Sequence, residues 1–381
     1  MRKIAVVTGT RAEYGYLKPL MKEINKDRTL KLLPVVTGMH LLKDFGESYK
    51  IVEKDFKKIY KIPMKLKGDN LIDMAHYFSD GAANIANFLK SKKPDITVVL
   101  GDRSESFAAA VASMYQNIPV AHINGGDVSG GTIDESIRHA ITKISHIHFV
   151  HTKENAERII KMGERKDRVH VVGALTIDSI LNEKHESKDK IFKKYTLDTK
   201  KPTFLAIQHP ITTLKDKGLS EMKEMLLALK EIKKQTFMLY PNCDAGGKKL
   251  IDLIKRYEKE DYLHIHKNIS HEDYISLLKN VDLMIGNSSS GIIEAPSFKI
   301  PVINIGDRQK GRTRSENIID VDPDRKKILK AIDYALGDNK FQNKLKKCKN
   351  RFGDGKSAKK IVKILKNIDI NENLIKKQIT Y

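Results

Sequence analysis

Residues 96–126 read ITVVLGDRSESFAAAVASMYQNIPVAHINGG, and this stretch decides the fold. Two short apolar runs rich in β-branched residues, 96–100 and 120–123, are typical of buried strands. The segment Ser104–Tyr115 between them has the apolar spacing of an amphipathic helix. A strand, a helix and a second strand in this order predict two parallel strands joined by a crossover helix.

The same alternation continues on both sides of this stretch. Further strand-like runs lie at 4–7, 33–36, 147–150, 169–172, 203–207, 236–240, 263–266, 283–285 and 302–305. Amphipathic stretches that predict helices separate them, among them 14–24, 72–89 and 135–144. The pattern therefore predicts an α/β fold with two doubly wound parallel sheets, one in each half of the chain.

A break in the alternation predicts the domain boundaries. Residues 183–201 are charged and poor in apolar residues, so we predict a surface linker there. It separates an N-terminal domain, 1–182, from a C-terminal domain, 202–367, and a polar tail over 368–381 follows. Two such domains in series are expected to face each other across a cleft.

Composition narrows the function classes. The chain has 381 residues, 40% hydrophobic and 31% charged, which is typical of a globular protein. Its net charge of +22 favours anionic partners, but no basic motif interleaved with aromatic residues indicates nucleic-acid binding. Two cysteines and the absence of a long apolar window lead us to expect a cytoplasmic protein without disulfides, zinc modules or membrane spans.

Polar residues follow the first and third predicted strands of the N-terminal half. The turn after 4–7 contains Gly9 and carries Arg11 and Glu13 at the start of a helix, where free backbone N–H groups suit an anion. The turn after 96–100 carries Asp102 and Arg103. Each turn has an alternative interpretation, as a plain βα turn or as a simple ion pair. The functional interpretation is a phosphate site beside a catalytic carboxylate.

A third cluster, HINGGDVSGGTIDESIRH at 122–139, carries more information. Four glycines lie in one short loop, which permits unusual backbone angles and a close approach of a ligand. Asp127, Asp134 and Glu135 add carboxyl groups of the kind that proton transfer needs. The alternative is that Thr132 or Asp134 only caps the following helix. Capping leaves the density of glycines unexplained.

The second half repeats the pattern at its own strand ends. Gly286-Asn287-Ser288-Ser289-Ser290-Gly291 is the clearest phosphate-binding candidate, because serine hydroxyls there precede a helix that contains Glu294. The loop lacks the Walker lysine and the G-x-G-x-x-G pattern. The remaining candidate substrate-binding residues at strand ends are His209, Asn242, Asp244, Arg308 and Arg312.

Several histidines suggest metal ligands at first sight, namely His146, His148, His151, His264 and His266. Positions i and i+2 share one face of a strand, and the pairs His146/His148 and His264/His266 have this spacing. No carboxylate set accompanies them, so we interpret them as ordinary strand residues and predict no metal site and no cofactor.

Taken in order, the motifs TRAEYGYLKPL, GDRSESFA, DESIRHAITK, QHP, YPNCDAGG, IGNSSSGIIEAP and PVINIGDRQKGR resemble those of the hydrolysing UDP-N-acetylglucosamine 2-epimerases of the sialic-acid pathway. The resemblance covers residues 3–320. It implies the GT-B architecture of two Rossmann-like domains, a nucleotide-sugar substrate and a homo-oligomer, either a dimer or a tetramer. It implies that Asp102 and Asp134 are the catalytic acids. It also implies that uridine diphosphate is held by Arg11, Arg103, His209, Asn242, Ser288, Ser289, Glu294 and either Arg308 or Arg312.

One departure from the family concerns the base. The sialic-acid branch usually has Glu where this chain has Asn124, and an amide is no general base. Asp127 could replace it, or Asn124 could only position the sugar. Enzymes of the legionaminic-acid pathway also vary here and use a 2,4-diacetamido-trideoxy sugar nucleotide, with UDP or GDP; GDP-N-acetylglucosamine is a further alternative.

The resemblance implies anti elimination of UDP across C1–C2, followed by hydration of a glycal to free N-acetylmannosamine. Three alternatives stay open. A non-hydrolysing 2-epimerase shares the fold but typically carries HVEAG and PEE-x-N-R motifs, a GT-B glycosyltransferase needs an acceptor, and a nucleotide-sugar sensor turns nothing over.

Overall fold

The fold was obtained as a computed structural model, which describes residues 1–43, 47–66, 71–128, 133–211, 217–241, 247–267 and 269–381. The chain divides into two compact units. The first unit comprises residues 1–182 and 352–381, and the second comprises 183–351. Within the described ranges, no helix is both long and apolar enough to cross a membrane.

The first unit is built on a parallel sheet of seven strands. They are β1 (Arg2–Thr8), β2 (Leu30–Thr37), β3 (Tyr60–Ile62), β4 (Ile96–Leu100), β5 (Val120–Ile123), β6 (Ile147–Val150) and β7 (Val169–Val171), in the order β3-β2-β1-β4-β5-β6-β7. Ile4 pairs with Leu32 on one side and with Ile96 on the other. The strand order therefore reverses between β1 and β4, where open α/β sheets bind ligands.

Helices cover both faces of this sheet. They are α1 (Arg11–Lys26), α2 (Tyr49–Asp55), α3 (Leu71–Lys92), α4 (Ser104–Met114), α5 (Ile133–Ile144), α6 (Lys153–Lys161) and α7 (Leu175–Asn182). Ile4 and Val6 join a core cluster with α1, while Ala5 and Val7 join another with α3 and α4. Successive strand residues point to opposite faces, so continuous apolar runs are needed where both faces are buried.

The second unit repeats this design with six parallel strands. They are β8 (Thr203–Ile207), β9 (Gln235–Leu239), β10 (Leu263–His266), β11 (Leu283–Gly286), β12 (Val302–Ile305) and β13 (Ile318–Val321), in the order β10-β9-β8-β11-β12-β13. Its helices are α8 (Lys188–Lys194), α9 (Lys217–Ile232), α10 (Gly247–Lys255), α11 (His271–Asn280), α12 (Ser289–Ile293), α13 (Arg325–Gly337) and α14 (Asn339–Lys346). The strand order reverses between β8 and β11.

Two domain boundaries differ from the sequence prediction. The segment 183–201 is no plain linker, because Ile191 and Phe192 of α8 are buried in a core cluster of the second unit. The C-terminal domain does not extend to residue 367 either. The chain returns to the first unit at Phe352, and α15 (Ser357–Asn367) packs through Ile361 and Leu365 into the cluster around β1.

The polar tail also contains structure. Helix α16 (Glu372–Ile375) follows α15, and Leu374 is 5% exposed within the same core cluster. The amphipathic pattern of α15 identifies a helix with one apolar face. That pattern is the same whichever sheet the helix covers, so it did not reveal the return.

Candidate active site

The turn after β1 rests on a buried carboxyl group. Thr10 caps α1 by accepting from the Glu13 N–H at 3.2 Å, and Glu13 Oε2 accepts from the Gly9 N–H at 2.6 Å. The Ser106 hydroxyl of α4 lies 3.3 Å from Glu13 Oε1. Glu13 is only 4% exposed. Both Glu13 oxygens thus have partners within the fold, and a role for Glu13 in nucleotide binding stays a prediction.

A second buried carboxyl group, that of Glu105, lies beside Glu13. Glu105 is fully buried and accepts from the Tyr77 hydroxyl at 2.8 Å and from Arg103 Nε at 3.1 Å. A Cβ at Gly9 would lie 2.7 Å from the Glu105 side chain, so glycine is required there. Burial, and then the charge of Glu105, raise the pKa of Glu13 to about 7.

The two predicted arginines of this region lie in different environments. The Arg103 side chain is 39% exposed and pairs with Glu105. Arg11 is exposed in the first turn of α1. Arg11 therefore has the freer guanidinium for an anion at this turn, while Arg103 already has a carboxylate partner.

The predicted acid Asp102 forms an ion pair. Its carboxylate accepts from the Arg138 guanidinium of α5, and the Arg138 side chain is 8% exposed. Arg138 also donates to the Asp127 carbonyl at 3.2 Å and lies 3.7 Å from Glu135 Oε2. A guanidinium beside a carboxylate stabilises its ionised form. The structure thus joins the turn after β4 to the start of α5.

Asp134 is exposed in the first turn of α5, four residues before Arg138. Residues four apart share one face of a helix. Asp134 and the Arg138 group that holds Asp102 therefore lie on the same side of α5. The glycine-rich residues 129–132 before the helix lie outside the described residues.

Asn124 has a backbone reason for its identity. Its φ is +67°, a left-handed conformation that asparagine tolerates better than most residues. Its side-chain oxygen accepts from His151 Nε2. The next residues are also held, because the Asn155 side-chain amide and Arg158 both donate to the Gly126 carbonyl. The described side-chain contact of Asn124 is with His151, and its role in positioning the sugar stays a prediction.

In the second unit, Asn287 organises the turns after β8, β11 and β12. It is fully buried, and its side chain accepts from the His209 N–H at 2.7 Å and donates to the His209 carbonyl at 3.0 Å. Its own carbonyl accepts from Arg308 Nη1 at 3.1 Å and from Gln309 Nε2 at 2.8 Å. The predicted residues His209 and Arg308 therefore lie together around the GNSSSG turn.

The serines of this turn have distinct roles. Ser288 caps α12 and accepts from the Ser290 N–H at 3.3 Å. Ser289 is the first residue of α12 and is partly exposed. Ser290 donates to Glu294 and accepts from the Tyr274 hydroxyl. Burial raises the pKa of Glu294. Ser288 and Ser289 remain candidate phosphate ligands, while Ser290 fixes Glu294.

Three predicted residues remain, Arg312, Asn242 and Asp244. Arg312 follows Arg308 in the same loop, where its N–H donates to the Gln309 carbonyl at 3.4 Å. Asn242 and Asp244 lie outside the described residues.

Three of the predicted strand histidines have structural contacts that account for them. His146 Nδ1 accepts from the Val120 N–H at 3.1 Å, His148 Nε2 lies 3.2 Å from Glu164, and His266 stacks on Phe237 with ring centroids 4.4 Å apart. Among the described residues, no three His, Cys, Asp or Glu side chains are placed to share a metal ion.

Comparison with known proteins identifies the family. A family model described as UDP-N-acetylglucosamine 2-epimerase matches residues 22–366. The chain belongs to this family. It is 37% identical over 378 residues to the UDP-N,N'-diacetylbacillosamine 2-epimerase (hydrolyzing) of Legionella pneumophila, with 99% of each chain covered. It is 38% identical over 322 residues to the GDP/UDP-N,N'-diacetylbacillosamine 2-epimerase (hydrolyzing) of Campylobacter jejuni, with 84% of each covered.

A solved structure of a family member supports the fold. The UDP-GlcNAc 2-epimerase from Neisseria meningitidis bound to UDP-GlcNAc matches with a TM-score of 0.80 at 20% identity, covering 95% of this chain and 99% of that chain. The predicted GT-B architecture and the resemblance to the 2-epimerase family are confirmed.

Sequence reasoning missed two buried residues, Arg138 and Glu221, that hydrogen-bond to residues just after strands β4 and β8. Arg138 could have been found, since an arginine four residues after Asp134 would share its helix face. Glu221 carried no such signal. It is buried in α9, accepts from Gln208 Nε2 at 2.8 Å, and lies where a Cβ on Gly306 would come within 2.2 Å of it.

Proposed function

We propose that the chain catalyses the hydrolysing C2 epimerisation of UDP-N,N'-diacetylbacillosamine, releasing UDP and the free epimerised sugar. The observation that carries the proposal is the Asp102–Arg138 ion pair at the reversal of the first sheet, with Asp134 on the same face of α5. Two carboxylates near a ligand-binding sheet edge suit proton transfer at carbon. The two relatives that act on diacetylbacillosamine nucleotides support this choice of sugar.

In the first step, a carboxylate removes the C2 hydrogen as a proton while the C1–O bond breaks. The electrons of the C–H bond form the C1–C2 double bond, and UDP leaves with the electrons of the C1–O bond. We assign the proton removal to Asp102, because Arg138 stabilises its ionised form. In the second step, water adds its oxygen at C1 and a proton reaches C2 from the opposite face. We assign that proton delivery to Asp134, which takes back the proton that the water oxygen releases at C1, while Asp102 returns its proton to solvent.

The departing diphosphate gains negative charge in the transition state. Groups that bind this charge more strongly than the ground state lower the barrier. We assign this role to Ser288, Ser289 and Arg308, which the buried Asn287 and the turn after β11 hold in place. Glu294, fixed by Ser290, is assigned to the ribose hydroxyls.

A second candidate substrate is UDP-N-acetylglucosamine, which the description of the matching family model favours. Incubation of the protein with each nucleotide sugar separately, followed by proton and phosphorus NMR, distinguishes the candidates. Free epimerised diacetamido sugar plus UDP is the expected result. Release of N-acetylmannosamine alone would favour the second substrate. Retention of the nucleotide on an epimerised sugar, or no conversion of either compound, would refute the proposal.

We also propose that the protein works in the cytoplasm as a homo-oligomer. The motif resemblance supports self-association, and the low cysteine content suits a reducing compartment. Light scattering coupled to size-exclusion chromatography tests the first point, because a mass of 43.3 kDa would indicate a monomer.

A further inference from the structure

The buried carboxylate of Glu164 has three nitrogen donors around it, near the start of β6 in the first unit. Glu164 is 3% exposed and lies 2.7 Å from Lys143 Nζ, 2.6 Å from Lys377 Nζ and 3.2 Å from His148 Nε2. Removing one partner from a buried ion pair leaves charge uncompensated. This cluster therefore holds together three elements: α5, β6 and the C-terminal segment.

Lys377 makes further contacts at the end of α5. Its ammonium donates to the Thr142 carbonyl at 3.1 Å and to the Ser145 carbonyl. The last carbonyls of a helix lack partners within the helix, and a cation there is favourable for the helix dipole. Lys377 thus binds the C-terminal end of the helix whose first half carries Asp134 and Arg138.

The segment around Lys377 is fixed to the first unit. Arg168 donates to the backbone carbonyls of Asn373 and Leu374, the latter at 3.2 Å. The Leu374 side chain is buried in the core. Lys377 is therefore presented by a segment with its own attachments.

Hydrogen bonds lead from the same end of α5 to the turn that carries Asp102. The Thr142 hydroxyl lies 3.3 Å from His122 Nδ1, and His122 Nε2 donates to the Gly101 carbonyl at 2.7 Å. Burial lowers the pKa of His122 to about 3, so the ring is neutral and its single proton is on Nε2. The Thr142 hydroxyl also lies 3.0 Å from the Arg138 carbonyl, so its single proton has two acceptors within reach, that carbonyl and His122 Nδ1.

We propose that Lys377 is a positioning residue for the epimerisation, because it fixes the C-terminal end of α5 and thereby the placement of Arg138 and Asp134. This inference rests on the proposed function of these residues. Lys377 itself acts only through α5 and the bonded turn. Displacement of a reacting group by about 1 Å can cost roughly a hundred-fold in rate.

The test replaces Lys377 with alanine and compares it with Lys376→Ala. Lys376 is the matched control, because its ammonium pairs with Glu372 at the surface, at 2.6 Å. Lys377→Ala is expected to lower kcat by about ten-fold to a hundred-fold, with little change in KM or in UDP affinity, since the diphosphate ligands lie in the second unit. Lys376→Ala is expected to keep the kcat of the unmodified chain.

A cavity beside Lys377 allows chemical rescue. Its volume is about 460 Å³, and its lining includes Lys143, His146 and Ile379. Added n-propylammonium should enter the space vacated in Lys377→Ala and restore part of the lost kcat. It should leave Lys376→Ala unchanged.

The outcomes separate the two proposals. An unmodified chain that converts no nucleotide sugar refutes the proposed function itself. An active unmodified chain with kcat unchanged in folded Lys377→Ala overturns the positioning role alone. So does a kcat loss that matches the loss of folded protein by circular dichroism and resists n-propylammonium. If the alanine variant does not fold, Lys377→Met keeps the aliphatic stem, and the same kcat criterion applies to it.

Discussion

Replacing Glu13 with glutamine should remove a pH-dependent loss of stability from the first unit. Glutamine keeps an oxygen to accept from the Gly9 N–H and cannot ionise. In the folded chain, burial and the neighbouring Glu105 raise the pKa of Glu13 from 4.5 to about 7. The unfolded chain ionises near the lower value. Between these two values the folded state therefore holds the extra proton.

The sign and size of the effect follow from that difference. Stability falls with rising pH wherever the folded state binds more protons than the unfolded state. The contribution of Glu13 is thus complete below about pH 4.5 and lost by about pH 7. A raised pKa of this size corresponds to about 3 kcal/mol. Between pH 4.5 and about pH 7, the free energy of unfolding of the unmodified chain should therefore fall by about 3 kcal/mol more than that of the Glu13→Gln variant.

The measurement is urea unfolding across this pH range, followed by hydrogen exchange of peptides from the first unit. Glu23→Gln on the outer part of α1 is the control, because Glu23 pairs with Lys26 at the surface. Its pH profile should parallel that of the unmodified chain. Parallel profiles for Glu13→Gln and the unmodified chain would refute the account of a buried, protonated carboxyl group.

Three further predictions concern the site and its turns. Asp102→Asn should lower turnover by about a thousand-fold with the fold retained, since proton transfer by a side chain contributes about 10²–10⁴-fold. Near-normal turnover would remove Asp102 from the mechanism. Gly286→Ala should unfold or severely destabilise the second unit, because its Cβ would lie 2.0 Å from the Ile207 carbonyl oxygen and the backbone has φ +127°. Gly337→Ala is the control, because a Cβ there would meet open space, and its melting temperature should equal that of the unmodified chain. Thermal melting compares the two variants. Asn124→Val should cost about 1–3 kcal/mol more than Asn124→Gly in urea unfolding, because a β-branched residue is strained at φ +67°; equal costs would contradict this.

The sequence predicted the two sheets because parallel strands buried on both faces must be apolar throughout. It also placed the polar candidates at the carboxyl ends of strands, and the structure brings His209, Asn287 and Arg308 together at one such edge. Strand β13 (Ile318–Val321) is only partly buried. Its sequence has a weaker apolar pattern, so this strand was not predicted.

Other features depend on contacts that no local pattern contains. Glu13 looks like an ordinary acid in a first helical turn, and only the fold shows that Glu105 and Ser106 enclose it. In the sequence, Asn124 stands where the sialic-acid branch usually has a glutamate. Its positive φ angle supplies a separate reason for asparagine at this position, because asparagine tolerates that conformation. Long-range partners such as Lys377 for Glu164 are equally invisible to spacing.

The return of the chain at Phe352 has a consequence for biosynthesis. A ribosome making this protein completes every strand of the second unit before it reaches Ile361 and Leu365, which the first unit's core requires. The second unit, which is encoded in the middle of the chain, can therefore fold first. Until the last helices are synthesised, residues 1–182 expose part of the apolar surface that those helices later cover. Chaperones that shield nascent chains are expected to bind that surface.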